Sequence, residues 1–212
     1  MPIRVTFLVD GFNLYHSLRD AQLQTGKCYK WLNIRSLCAS YLQFFGKDAV
    51  LHDVYYFSAY AHHLTPRDPD VVARHQTLVR ALESTGVKPE MGHFKSKNVH
   101  CTHCQHDIVR HEEKETDVAI AVRLVELALT DKCDIAVVVT GDTDIVPGLK
   151  TVRRLAATKR LCVIAPYKRA NAELRQLAHQ YFKLKPNSHE PHLFPNEIAL
   201  PDGQRLIKPT AW

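Results

Sequence analysis

The segment at residues 134–142, DIAVVVTGD, constrains the fold more than any other stretch of the chain. Ile135 to Val139 form a short continuous apolar run rich in β-branched residues, with no polar position to face water. Such a run reads as a strand covered on both faces, the pattern of a parallel sheet with helices on either side. The run ends abruptly in Asp142 and Asp144, two residues apart, before Pro147 and an apolar, basic segment. A second strand of this kind, IRVTFLVD at residues 3–10, also ends in an acid, Asp10.

Strands and helices alternate along the rest of the chain. NLYHSLRDAQ opens a helix behind Asn13. Residues 33–46 place Ile34, Leu37, Cys38, Tyr41, Leu42 and Phe45 at helical spacing, between an Asn33 cap and a Gly46 stop. Residues 49–60 read as a strand, 68–86 as a helix and 87–95 as a shorter, weaker strand. A polar, His- and Cys-rich stretch without clean periodicity follows. Residues 113–132 then read as a helix apolar almost all round after its first turn, hence buried on more than one side. A helix at 147–159 and a strand at 160–167 complete the alternation, which indicates an α/β fold with a parallel sheet. In such sheets sites form beyond the carboxyl ends of the strands.

Composition narrows the class. At 212 residues the chain can bury a full core, and 45% hydrophobic with 24% charged residues is ordinary for a globular protein. No run approaches the roughly 20 apolar residues of a membrane span. The first residues enter a strand pattern directly, without the layout of a signal peptide, so the expected location is cytoplasmic. The six cysteines are then expected as thiols or metal ligands, with Cys38, Cys133 and Cys162 as core residues. A net charge of +6 is compatible with a polyanionic partner but does not establish one.

A single Asp at a strand-to-helix junction is explained by capping alone. The functional argument rests on convergence. Asp10 and Asp142 fall at the same end of neighbouring core strands, and Asp117 lies at the start of the buried helix, with Glu113 one turn before it on the same face. Two unit charges about 4 Å apart repel by about 4 kcal/mol at an effective dielectric of about 20. A cluster of such acids protonates or unfolds its site unless a cation neutralises it, and Mg2+ and Mn2+ suit a set of Asp and Asn oxygens. Such ions position a phosphodiester and stabilise a leaving oxygen. Rival acidic motifs fail: Phe12 stands where a haloacid-dehalogenase-type phosphatase needs its second Asp, Val146 where it needs a later acid, and no Gly-rich phosphate loop is present.

Three blocks, VDGFNLYHSL, EEKETDVAIAV and VVVTGDTDIVPGLKTVRRL, resemble in correct order the signature blocks of the NYN domain of the PIN-like nuclease superfamily, most closely its bacterial LabA-type members. The resemblance spans residues 3–184. It implies a Rossmann-like three-layer α/β sandwich with a central, mainly parallel sheet, occupying residues 1–185, with a Cys/His-rich insertion at about 93–111 and a Pro-rich tail at 186–212. It also implies a Mg2+ or Mn2+ site and hydrolysis of RNA, single-stranded or structured. Asp10 corresponds to the first metal acid and Asn13 to the Asn that orients it. Asp117 matches the acid of the second block, and Asp142 and Asp144 the GDTD pair. Glu113 and Lys114 belong to the second block, with Lys114 placed to pair either with the acids or with a phosphate oxygen. Thr140 and Thr143 are read mainly as turn formers. The alternative to a nuclease is a regulatory module that keeps the fold and binds RNA without cutting it.

Four further features leave their readings open. Cys101 and Cys104, with His100 and His106, form one Cys pair among histidines: either a structural Zn2+ clip or a polar loop. Lys150, Arg153, Arg154, Lys168 and Arg169 are ordinary solvated charges one by one, and together a track for a nucleic-acid backbone. Phe12, Tyr15 and His16 are candidates for stacking on bases. In the tail, Leu193, Phe194, Ile198, Leu200, Leu206, Ile207 and Trp212 are enough apolar residues to dock on the domain or across a homodimer, and disorder is the alternative.

Overall fold

The computed structural model describes residues 1–100, 103 and 106–212. Strand β1 (Ile3–Asp10) leads into α1 (Gly11–Thr25) and α2 (Ile34–Ala39), followed by β2 (Ala49–Ala59) and α3 (Val71–Ser84). Strands β3 (Lys88–His100) and β4 (Asp107–Lys114) precede α4 (Thr116–Leu129), β5 (Ile135–Val139), α5 (Val146–Leu155), β6 (Arg160–Ala165), α6 (Ala172–Leu177) and β7 (Gln180–Lys183). A small hairpin of β8 (Glu197–Ala199) and β9 (Arg205–Ile207) ends the chain.

The first seven strands form one sheet in the order β4-β3-β2-β1-β5-β6-β7. Every pairing in it is parallel except β3 with β4. From β1 the chain builds outward through β2 and β3, then returns to the other side of β1 and builds outward again through β5, β6 and β7. The boundary between β1 and β5 is therefore where the direction of winding reverses, the place at which an open α/β sheet leaves a crevice beyond its strand ends.

The two-residue period of the strands divides their side chains between two cores. Val5, Phe7, Val9, Val137 and Val139 pack with α1, α2 and α3 on one face. Leu8, Ala136 and Val138 pack with α4, α5 and α6 on the other. This is the three-layer α/β sandwich expected. Cys38, Cys133 and Cys162 are buried in it. No helix among the described residues is long and apolar enough to cross a membrane.

Several boundaries differ from expectation, each for a physical reason. The stretch about residues 93–111 is largely a hairpin: β3 continues to His100 and β4 returns antiparallel, pairing His93 with Lys114 through His100 with Asp107. Most of its side chains are exposed, so no apolar alternation marks it. The helix expected from residue 113 begins at Thr116, because Glu115 adopts a left-handed backbone with φ of 79°. Glu113 therefore ends a strand and does not share a helix face with Asp117. Helix α4 is buried on one side only; Ile120, Leu124 and Leu127 are covered, whereas Val118, Val122 and Leu129 are exposed. Helix α1 starts at Gly11 under an Asp10 cap, ahead of Asn13. The helix expected over residues 33–46 is α2 followed by a 3-10 turn at Leu42–Phe44.

The segment after residue 185 docks on the domain. The Phe194 ring lies 5.4 Å from that of Trp31, and Trp212 lies 6.2 Å from the same indole. Trp31 Nε1 donates to the Pro195 carbonyl at 2.8 Å. Ile207 stays exposed, whereas Phe194 and Leu206 are buried. Phe194→Ala removes a buried ring, so a loss of about 3 kcal/mol is expected, seen as a fall in Tm of roughly 6–12 °C. A Tm unchanged within two degrees or so would show that the tail contributes nothing to stability.

Candidate metal centre and adjoining cavity

Asp10 occupies the carboxyl end of β1, on the side of the sheet that carries α4, since it shares the parity of Leu8. It is 4% exposed. One carboxylate oxygen accepts the Asn13 backbone N–H at 2.9 Å and the other accepts the Thr140 hydroxyl at 2.7 Å. Burial pushes its pKa up, and those two hydrogen bonds offset part of the effect. Gly11 follows because a Cβ there would sit 2.6 Å from the Phe57 carbonyl oxygen of β2.

The GDTD turn is tied to Asp10 from the other side. The Asn13 side-chain oxygen accepts the Gly141 N–H at 3.0 Å. Thr140, fully buried, also accepts the Asp142 N–H at 3.1 Å. Asp142 in turn accepts the Asp144 N–H at 3.0 Å, which closes the turn into α5. Thr140 is thus a direct link between β1 and the acidic turn rather than a turn former alone. Glu113 reaches the same place from β4, where it accepts both the N–H and the hydroxyl of Thr116 and so caps α4.

Asp117, in the first turn of α4, reports the sum. Burial, then Asp10, Asp142, Glu113 and Asp144, together push its carboxyl up to about 6. Five carboxylates from distant segments thus act on one another electrostatically. Among the described residues none of the five has an ion pair. Asp134, at the opposite end of β5, shows the contrast: Arg4 holds it at 2.8 Å and keeps its carboxyl far below the ordinary range.

These acids were expected from sequence and the structure brings them together. Asp10, Asn13, Glu113, Asp117 and Asp142 border one cavity of about 860 Å³. Asp144 stands outside that lining and is exposed. The cationic set is divided. Arg169 borders the cavity and pairs with Asp20 at 2.9 Å. Lys150 pairs with Glu173 at 3.4 Å and Arg153 donates to the Leu177 carbonyl, so both lean towards α6. Arg154 and Lys168 are exposed. Lys114 pairs with Glu112 at 2.9 Å and not with the acids, because alternation along β4 turns it to the face opposite Glu113. Sequence reasoning missed Arg19, Lys30, Arg74, His63, Phe94 and Trp212, which border the same cavity. Only Arg19 carried a signal, since Phe12, His16 and Arg19 recur at helical spacing on α1.

Among the described residues no three His, Cys, Asp or Glu side chains form a ready-made metal cage. The donor set nonetheless fits Mg2+ or Mn2+. It is all oxygen, it holds more negative charge than it can neutralise, and such ions bind through few side chains while keeping several waters. Of the Zn2+ reading, Cys101 and Cys104 lie outside the described residues, and His100 contacts Asp107 at 2.9 Å.

Comparison with known proteins bears on this geometry. The chain is 28% identical, over 248 aligned residues spanning all of it and 76% of the relative, to 6-hydroxy-3-succinoylpyridine 3-monooxygenase HspA of Pseudomonas putida (strain DSM 28022 / S16). A crystal structure of a protein of unknown function, VPA0982 from Vibrio parahaemolyticus RIMD 2210633, shares the fold with a TM-score of 0.59 at 14% identity, covering 91% of this chain and 97% of that one. The NYN domain profile matches residues 4–185, almost the whole sandwich with every acid described above. The chain belongs to the NYN domain family of PIN-like nucleases.

Proposed function

We propose that this protein is a divalent-metal-dependent endoribonuclease that hydrolyses single-stranded RNA. One observation carries the reading: five carboxylates act on one another at the switch point of the sheet, and none of them has an ion pair among the described residues. Mutual repulsion of this kind destabilises a fold and persists where function requires it. Asp10, Asp117 and Asp142 would hold Mg2+ or Mn2+, with Asp144 nearby. When bound, the ion would supply charge neutralisation at the scissile phosphate and would lower the pKa of a water so that it can be deprotonated for attack.

The chain's own groups have separable tasks. Thr140 and the Asn13 backbone fix both oxygens of Asp10, and the Asn13 side chain fixes the turn that carries Asp142. Glu113 sets the start of α4 and hence the position of Asp117. Arg169, at the cavity wall, would hold a backbone phosphate by exchanging its Asp20 partner for it.

The relative's name raises a second reading, oxygen insertion into a small heteroaromatic acid. The observation in its favour is the cavity itself, which is large enough for such a molecule and bordered by Phe12, Tyr15, Phe94 and Trp212. The acids favour the first reading, because clustered carboxylates suit a divalent ion that acts on a phosphodiester.

Incubation of labelled single-stranded RNA with Mg2+ or Mn2+ tests the proposal. Wild type is expected to cut and Asp142→Asn to cut at least about a hundredfold more slowly. Equal rates for the two would overturn the assignment. Stabilisation by Mn2+ without cleavage of RNA or DNA would favour a binding module that does not cut.

A further inference from the structure

The acids occupy only part of the cavity they border. Aromatic rings stand directly beside them. Phe12 follows Asp10 by two residues, and Phe94 of β3 is the register partner of Glu113. The two rings lie 5.5 Å apart at 89°, an edge-on meeting. His63, on the turn before α3, lies 4.4 Å from Phe94 and stacks by one face on His111, and burial together with His111 lowers its pKa. All three are only partly buried.

Cations border the same space. Arg74 and Arg169 are neutralised by Asp68 and Asp20. Arg19 and Lys30 have no ion pair among the described residues, and Lys30 stands over the Tyr15 ring at 5.7 Å. Arg19 lies two helical turns beyond Phe12 on α1, roughly 10 Å along the axis. Acids for a metal ion, partly open rings and two unpaired cations thus share a cavity of about 860 Å³, within the range of sites that enclose a whole small ligand.

We propose that this cavity receives one unpaired nucleotide of the substrate strand, with its base lodged against Phe12, His63 and Phe94 and an adjacent phosphate facing Arg19 and Lys30. A base inside a duplex cannot enter a cavity walled by α1, α3 and the β3–β4 hairpin without leaving its stack. Stacking on aromatic side chains accepts any base, so the cavity selects for unpaired strands rather than for sequence. The proposal rests on the nuclease reading for the role of the acids, but base binding itself needs no metal and can be measured without cleavage.

The experiment is calorimetric titration of metal-free protein with uridine or adenosine 5′-monophosphate and, in parallel, ribose 5-phosphate. Both nucleotides are expected to bind at least about tenfold tighter than the sugar phosphate. Phe94→Ala should abolish that gap while leaving ribose 5-phosphate binding within about twofold, and His63→Ala should narrow it. Phe94 lies on an edge hairpin outside both cores, so its removal leaves the fold intact. Nucleotides that bind no tighter than the sugar phosphate, or a gap that survives Phe94→Ala, would overturn the inference even if wild type cuts RNA. Tighter binding of a pyridine carboxylate than of either nucleotide would also overturn it, in favour of a small heteroaromatic ligand. A Phe94-dependent gap in a protein that cuts nothing would support the inference and remove the nuclease reading instead.

Discussion

Asp10→Asn is expected to raise the stability of the metal-free protein and to abolish its hydrolytic activity. Asparagine keeps the shape of Asp10 and an oxygen for the Asn13 N–H, and it removes a charge that burial disfavours and that raises the pKa of Asp117. The sign follows from linkage. Asp117 titrates at about 6 in the fold against an ordinary value of 3.8, so the folded state binds the proton more tightly. Stability from this group is fully present below about pH 4, is lost as the pH rises to about 6, and stays lost at neutral pH. The penalty is about 1–2 kcal/mol once screening of its exposed half is allowed for. In metal-free buffer at pH 7.5, Asp10→Asn should recover the share that Asp10 adds to burial, together with the cost of its own buried charge, a Tm higher by about 2–6 °C. The decline of Tm between about pH 4 and 6 should flatten as well. Hydrolysis should fall by about a thousandfold, since a lost metal ligand removes several kcal/mol of charge stabilisation. A variant less stable than wild type would show that the Asp10 charge serves its cap over α1 and not a site for a cation.

Gly141→Ala is expected to damage both fold and activity. A Cβ at Gly141 would lie 2.0 Å from the Arg169 carbonyl oxygen, and backbone cannot move aside as a long side chain can. The turn must shift, and with it the Gly141 N–H held by Asn13 and the Asp142 N–H held by Thr140. Forced overpacking typically costs about 1–3 kcal/mol, and this contact stands at the severe end, so a Tm lower by roughly 6–12 °C is expected. Activity should fall by at least about a hundredfold, because misplacement of a reacting group by about 1 Å has that effect. Thermal unfolding and single-stranded RNA hydrolysis measure the two effects separately. A variant with wild-type Tm and rate would show that residues 140–144 adopt another path over Arg169.

The parts of the molecule legible in its sequence are those whose burial dictates composition. Ile135 to Val139 could be placed in the middle of a sheet because every position faces a core, and Asp10 and Asp142 followed at the strand ends. The β3–β4 hairpin was not legible, because ladder hydrogen bonds hold it while its side chains remain in water. The start of α4 was misplaced by three residues, since a left-handed Glu115 leaves no compositional mark when the residue is not glycine. Thr140 reads locally as a turn residue, and only the pairing of β5 with β1 gives its hydroxyl a carboxylate to bind. The cavity walls escaped for a related reason. Phe94 and Trp212 lie far from the acids in the chain and have no periodicity that points to them.

The unbalanced acids make one measurement decisive. Calorimetric titration of Mn2+ into wild type and Asp10→Asn at pH 7.5 is predicted to show saturable binding of at least one ion per wild-type chain, and binding at least about tenfold weaker in the variant. Equal binding by the two proteins, or none by wild type at millimolar Mn2+, would contradict the claim that these carboxylates form a metal centre.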